Sequence, residues 1–293
     1  MRPAVPFLKL SDIEQFPDPA ADTDGRLAKV CQILFNPLLL PMVTTGLPLG
    51  SAQPPRFKLH KLRSGGKHAV IVVNGFLSKG DRGTSDWEDA LAARFGRATW
   101  YHLDWDAFRH PLAQAADLLT IDGMLDRMVG KREPALLAGW HTTMLAAERA
   151  GELLAQAILS TPGWRFTLAG HSLGARVIHF ALKALEGKGA RRIENVYLLG
   201  GAVGGADVER DKRDWTSAAN AVKGRIFNCF SDEDGVLAWL YQGANALQSR
   251  PVGLHGIRLK HERIFHFDCS PLVTGHMRWK ENFGHILRQL KAY

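Results

Sequence analysis

Cysteine is scarce in this 293-residue chain: Cys31, Cys229 and Cys269 are the only three, and no two form a C-x-x-C pair. An odd count without paired spacing argues against a disulfide framework and a cysteine-based zinc site. It fits reduced thiols, and a cytoplasmic location is the expectation. Cys229 and Cys269 lie in apolar, strand-like runs and read as small buried residues. Long hydrophobic runs are also missing. The most apolar stretch, Val30 to Leu49, is broken by Asn36, Pro37, Pro41 and Pro48, which suits packing on the body better than spanning a bilayer. The N-terminus shows no apolar run followed by a small-residue cleavage site, so no secretory signal is read there.

Other absences narrow the chemistry. There is no G-x-x-x-x-G-K-S/T phosphate loop, the Gly200 to Gly205 cluster does not follow G-x-G-x-x-G, and no H-E-x-x-H occurs. No cofactor and no metal are expected. The chain carries 37 Lys plus Arg against 29 Asp plus Glu, a net charge of +8, but its densest runs, Lys131-Arg132 and Lys212-Arg213, are short and flanked by acids. The basic residues are not grouped with aromatics, so nucleic acid is not an expected partner. The charge reads as a solvated basic surface that permits peripheral contact with an anionic membrane.

What is present is ordinary globular composition, 46% apolar and 23% charged. Residues 1–55 read as a proline-rich N-terminal extension and residues 56–293 as one domain. Strand signals fall at 56–62, 68–74, 98–103, 165–169, 193–199, 225–230 and 264–269. Helix signals fall at 86–95, 107–129, 134–158, 173–185, 214–222, 235–247 and 280–292. Strands alternating with helices specify an α/β fold with a mostly parallel sheet covered on both faces. The chemistry of such a sheet lies just beyond the carboxyl ends of its strands.

One strand end carries a distinctive turn. Arg165 to Gly170 runs directly into His171-Ser172-Leu173-Gly174, giving G-x-S-x-G between a strand and a helix. A serine there projects from a sharp turn above the sheet, which makes Ser172 the candidate nucleophile. The chain order on such a fold is serine, acid, histidine. The strand 225–230 leads into Ser231-Asp232-Glu233-Asp234, where Asp234 is the favoured acid and Asp232 the second; Asp207 lies further from its strand and is weaker. His276, after Gly275 in the loop between the last strand and last helix, is the candidate base, ahead of His255, His261, His266 and His285. Two backbone amides would complete an oxyanion hole: Leu173, directly after the serine, and Phe76, in the loop Asn74-Gly75-Phe76 after the first long strand. Between residues 105 and 134, Phe108, Leu112, Leu118, Leu119, Ile121, Met124, Leu125 and Met128 recur at roughly helical spacing. This segment reads either as a partial lid at the pocket mouth, with Val30 to Leu49 nearby, or as a helix packed on the sheet.

Several stretches together resemble one family. They are Val73 to Ser78, Tyr101 to Trp105, Gly170-His-Ser-Leu-Gly-Ala-Arg-Val177, Ile193 to Ala202, Asn228 to Leu237 and Gly275-His276. In these residues the chain is similar to the DUF726 family of α/β-hydrolase-like proteins (TMCO4-type). The resemblance implies an α/β-hydrolase fold, an acid just before a small hydrophobic pair, which is Asp234, and a histidine after a glycine near the C-terminus, which is His276. The expected activity is that of a serine esterase or lipase-like hydrolase acting on a small-molecule or lipid ester through an acyl-enzyme. The competing expectation is a catalytically silent binding or trafficking module on the same fold.

Overall fold

The computed structural model describes residues 56–76, 84–107, 134–188, 192–205, 212–238 and 250–290. The elements in chain order are β1 (Phe57–Arg63), β2 (Gly66–Val73), α1 (Ser85–Phe95), β3 (Ala98–Trp105), α2 (Pro134–Leu159), β4 (Arg165–His171), α3 (Leu173–Leu185), β5 (Ile193–Leu199), α4 (Lys212–Asn220), β6 (Val222–Phe230), the short α5 (Val252–His255), β7 (Ile264–Asp268), a 3-10 turn (His276–Arg278) and α6 (Trp279–Gln289). The seven strands form one sheet in the order β1-β3-β2-β4-β5-β6-β7. Only β1 runs antiparallel, against β3; every other pairing is parallel. This is an α/β-hydrolase fold.

The continuous β-branched run of β2 explains its central place. Ala69 to Val73 are all fully buried, as a strand covered on both faces requires. On one face, Leu173, Val177 and Ile178 of α3 join Leu154 and Ile158 of α2 and Trp215 of α4 in a core with Ile71 and Val73. On the other, Trp87 of α1 and Trp279 and Phe283 of α6 pack with Val70 and Val72. Cys229 and Cys269 are buried free thiols in the second core. After β2 the chain steps outward to β3, then returns to place β4 on β2's other side. The crevice between the carboxyl ends of β2 and β4 is thus the topological switch point, where ligands of open α/β sheets bind.

Two elements differ from the sequence reading. The helix expected to reach Val222 stops at Asn220, because Val222 pairs with Ile193 and extends β6 along the full edge of β5. The helix α5 has no counterpart in the reading, since four residues are too few to show an apolar period. The helix expected from Gly235 does begin there. The extension 1–55, the Val30-to-Leu49 segment and Cys31 lie outside the described residues. So do positions 108–133 of the lid segment, positions 239–249 and Asp207.

Candidate active site

Ser172 directly follows β4 and caps α3, and it is the one residue other than glycine with positive φ among the described residues, at φ 56° and ψ −122°. That conformation costs on the order of 1–3 kcal/mol and persists only where surroundings over-determine it. They do so here: the Ser172 N–H donates to the Leu199 carbonyl at 3.0 Å, while the Ser172 carbonyl accepts from Ala175 and Ala202. Glycines allow the close packing around it. A Cβ on Gly174 would collide with the Val73 carbonyl, and one on Gly75 would lie 2.6 Å from Ser172 Cβ. The loop after β2 is therefore laid directly against the serine.

The strand ends bring the acid and histidine to the same place. His276 Nε2 lies 2.9 Å from Ser172 Oγ, and His276 Nδ1 lies 2.8 Å and 3.0 Å from the two Asp234 oxygens. All three side chains are buried, with Ser172 at 1%, His276 at 5% and Asp234 at 0% exposure. A carboxylate only accepts, so Nδ1 carries the proton and donates to Asp234. Neutral Nε2 is left to accept from the serine hydroxyl. Burial alone would raise the Asp234 carboxyl. The charge and hydrogen bond of His276, the Leu237 N–H at 3.0 Å and the Trp279 indole N–H at 3.1 Å outweigh it and hold the carboxyl below its ordinary range.

The alternatives lie elsewhere. Asp232 is exposed, His255 and His285 face solvent, and His266 sits within β7. Leu173 is the first residue of α3, so its N–H has no acceptor within the helix. Phe76, half-buried after Gly75, meets Trp140 edge-to-face at 5.3 Å.

Sequence reasoning missed two participants. His171, the variable residue before the serine, donates from Nε2 to the His276 backbone carbonyl at 2.8 Å. Burial, then the charges of His276 and Lys280, push its imidazole well below the ordinary histidine range, so it stays neutral. Trp279, three residues after His276, reaches the same acid. No local pattern marks either residue, because His276 lies in the 3-10 turn and Trp279 opens the following helix, so no helical period joins them. Among the described residues, no group of three His, Cys, Asp or Glu is placed to hold a metal ion.

With that geometry in place, the relatives fall into order. A family model described as "Protein of unknown function (DUF726)" matches residues 130–292, more than half of the chain. The chain belongs to this family. An uncharacterized membrane protein of Schizosaccharomyces pombe is 34% identical over 151 residues, 50% of this chain and 19% of that protein. The "Probable lipase MIL1" of Saccharomyces cerevisiae is 32% identical over 154 residues, 52% of this chain and 14% of that protein. This DUF726 chain thus matches less than a fifth of the length of either. Among solved structures, the mouse alpha/beta hydrolase domain-containing protein 10 is 12% identical, with a TM-score of 0.43 over 83% of this chain and 95% of that one.

These relatives correct the cytoplasmic expectation, because a relative matching half of this chain is named a membrane protein. Scarce cysteine reports on redox environment and says nothing about membrane attachment. Among the described residues, no helix is long and apolar enough to cross a membrane. The fold is hydrolase-like, and one relative is named a probable lipase.

Proposed function

We propose that this DUF726 domain is a serine hydrolase of carboxylic esters, lipase-like in its substrate class, working through an acyl-enzyme. The observation that carries the reading is the buried chain of hydrogen bonds from Ser172 Oγ through His276 to Asp234. Ser172 Oγ attacks the ester carbonyl carbon while His276 Nε2 takes the hydroxyl proton. Asp234 keeps the imidazole in the reacting tautomer and stabilises the imidazolium. The carbonyl electron pair moves onto oxygen, facing the amides of Leu173 and Phe76. Collapse of this intermediate breaks the ester C–O bond, and the leaving alkoxide takes the proton from Nε2. Water, deprotonated by the same nitrogen, then cleaves the acyl-enzyme to carboxylic acid and free Ser172.

A fluorophosphonate probe is expected to label the wild-type chain at Ser172. Ser172→Ala should abolish labelling with an unchanged circular dichroism spectrum and melting profile. Absence of wild-type labelling, together with no turnover across p-nitrophenyl esters of increasing chain length, would reject the activity in favour of a silent binding module.

A further inference from the structure

We propose that Trp279 is a positioning residue that tunes the base through the acid, by sharing the Asp234 oxygen that His276 holds. The proposal rests on the hydrolase reading of this site. Asp234 Oδ2 accepts from His276 Nδ1 at 2.8 Å and from Trp279 Nε1 at 3.1 Å. The two donors come from adjoining elements: His276 opens the 3-10 turn and Trp279 opens α6. One short segment therefore brings two donors to a single oxygen of the acid. Trp100, Trp105 and Trp215 give their indole N–H groups to backbone carbonyls instead. Trp279 is fully buried, and the end of β5 is shaped around it. Gly200 adopts φ +51°, and a Cβ there would run into the indole nitrogen.

A donor on a carboxylate disperses its charge and weakens its hold on any other proton it contacts. Trp279 thus moderates how strongly Asp234 stabilises the His276 imidazolium. Leu237 N–H and His276 Nδ1 also bond Oδ1, both at 3.0 Å. The carboxylate keeps its orientation when the indole donor is lost, so the charge effect sets the sign. Removal of the indole N–H concentrates charge on Asp234 and moves His276 protonation to higher pH. Among the described residues, the other titratable groups around the pair are His171 on β4, with ring centroids 4.8 Å apart, and Lys280 on α6, whose ammonium lies 3.8 Å from Asp86. His171 stays neutral, and neither group changes with the substitution.

The test is an imidazole titration by NMR on histidine-labelled protein, with the His276 resonance assigned by its loss in His276→Gln. In Trp279→Phe the His276 titration is expected to move to higher pH than in the wild-type chain. The acid limb of Ser172 labelling by a fluorophosphonate should move the same way. A purely structural indole would lower labelling equally at every pH and leave the titration in place. An unchanged or lowered His276 titration overturns the proposal. Benzothienylalanine placed at position 279 alone keeps the ring shape and removes only the N–H, so it gives the same readout should the phenylalanine variant not fold. Because the titration needs no turnover, a wild-type chain that resists the probe would sink the hydrolase reading separately from the Trp279 coupling.

Discussion

Two buried imidazoles stand side by side at the site, and their partners divide their labour. His276 faces Ser172 and Asp234, while His171 spends its proton on the backbone of His276 itself. Removing that donor leaves a buried carbonyl without its partner, which costs about 1–3 kcal/mol. His171→Phe is therefore expected to lower the urea midpoint by that equivalent. Under the proposed mechanism it should also slow Ser172 labelling by up to about a hundredfold, since small displacements of a reacting group are that costly. Retention of the wild-type rate would show that the contact is passive. The acid assignment is tested in the same assay. Asp234→Asn should cut turnover by roughly ten-thousandfold through loss of the reacting tautomer, whereas exposed Asp232→Asn should stay within about twofold.

The loop after β2 and the elbow after β4 meet with no room between them, and that contact is testable. Gly75→Ala places a methyl 2.6 Å from Ser172 Cβ, so it should both destabilise the fold and abolish labelling. Gly235→Ala opens a helix in free space, and stability should hold or rise by about 0.4–1 kcal/mol. Thermal melts of the two variants separate these outcomes. The same elements show what the sequence could convey. Most strands and helices were legible because β2 is continuously apolar and α3 follows the serine directly. Asp234 and His276 could be singled out as residues just past strand ends, and the structure brings both side chains together with Ser172. Their second partners could not be singled out: the indole of Trp279 and the ring of His171 are ordinary residues in one dimension, and only tertiary packing aims them at the acid and at the base. The four-residue α5 and the first residues of β6 escaped for another reason. Pairing with β5, rather than local propensity, decides where β6 begins.

Across the whole molecule, several buried groups respond to acid in one direction. Burial, then Lys183 and Arg176, lower His179 to about 3 from 6.5. Its ring lies 4.4 Å from that of Trp215. Below pH 6.5 the unfolded chain binds a proton at this position and the folded chain does not, so stability falls as pH drops toward 3. At about 1.4 kcal/mol per unit the loss reaches roughly 5 kcal/mol at most, a large share of typical domain stability. His171 acts in the same sense, and Asp234 adds its own loss as pH falls below the ordinary carboxylate range. Urea midpoints measured from pH 7 to pH 4 should fall steadily, and His179→Phe should flatten that slope. A midpoint independent of pH in the wild-type chain would contradict the burial of these imidazoles.

The separation of Ser172 from His276, 104 residues along the chain, bears on how the protein is made. Synthesis runs from the N-terminus, so the strand and helix around Ser172 exist well before Asp234, and Asp234 well before His276. Until β6 docks on β5 and the segment after β7 folds back over the elbow, Ser172 is an ordinary alcohol with nothing to accept its proton. Under the proposed mechanism the newborn chain is disarmed by its own topology, and a product truncated ahead of the last turn would carry Ser172 without the base that the mechanism requires.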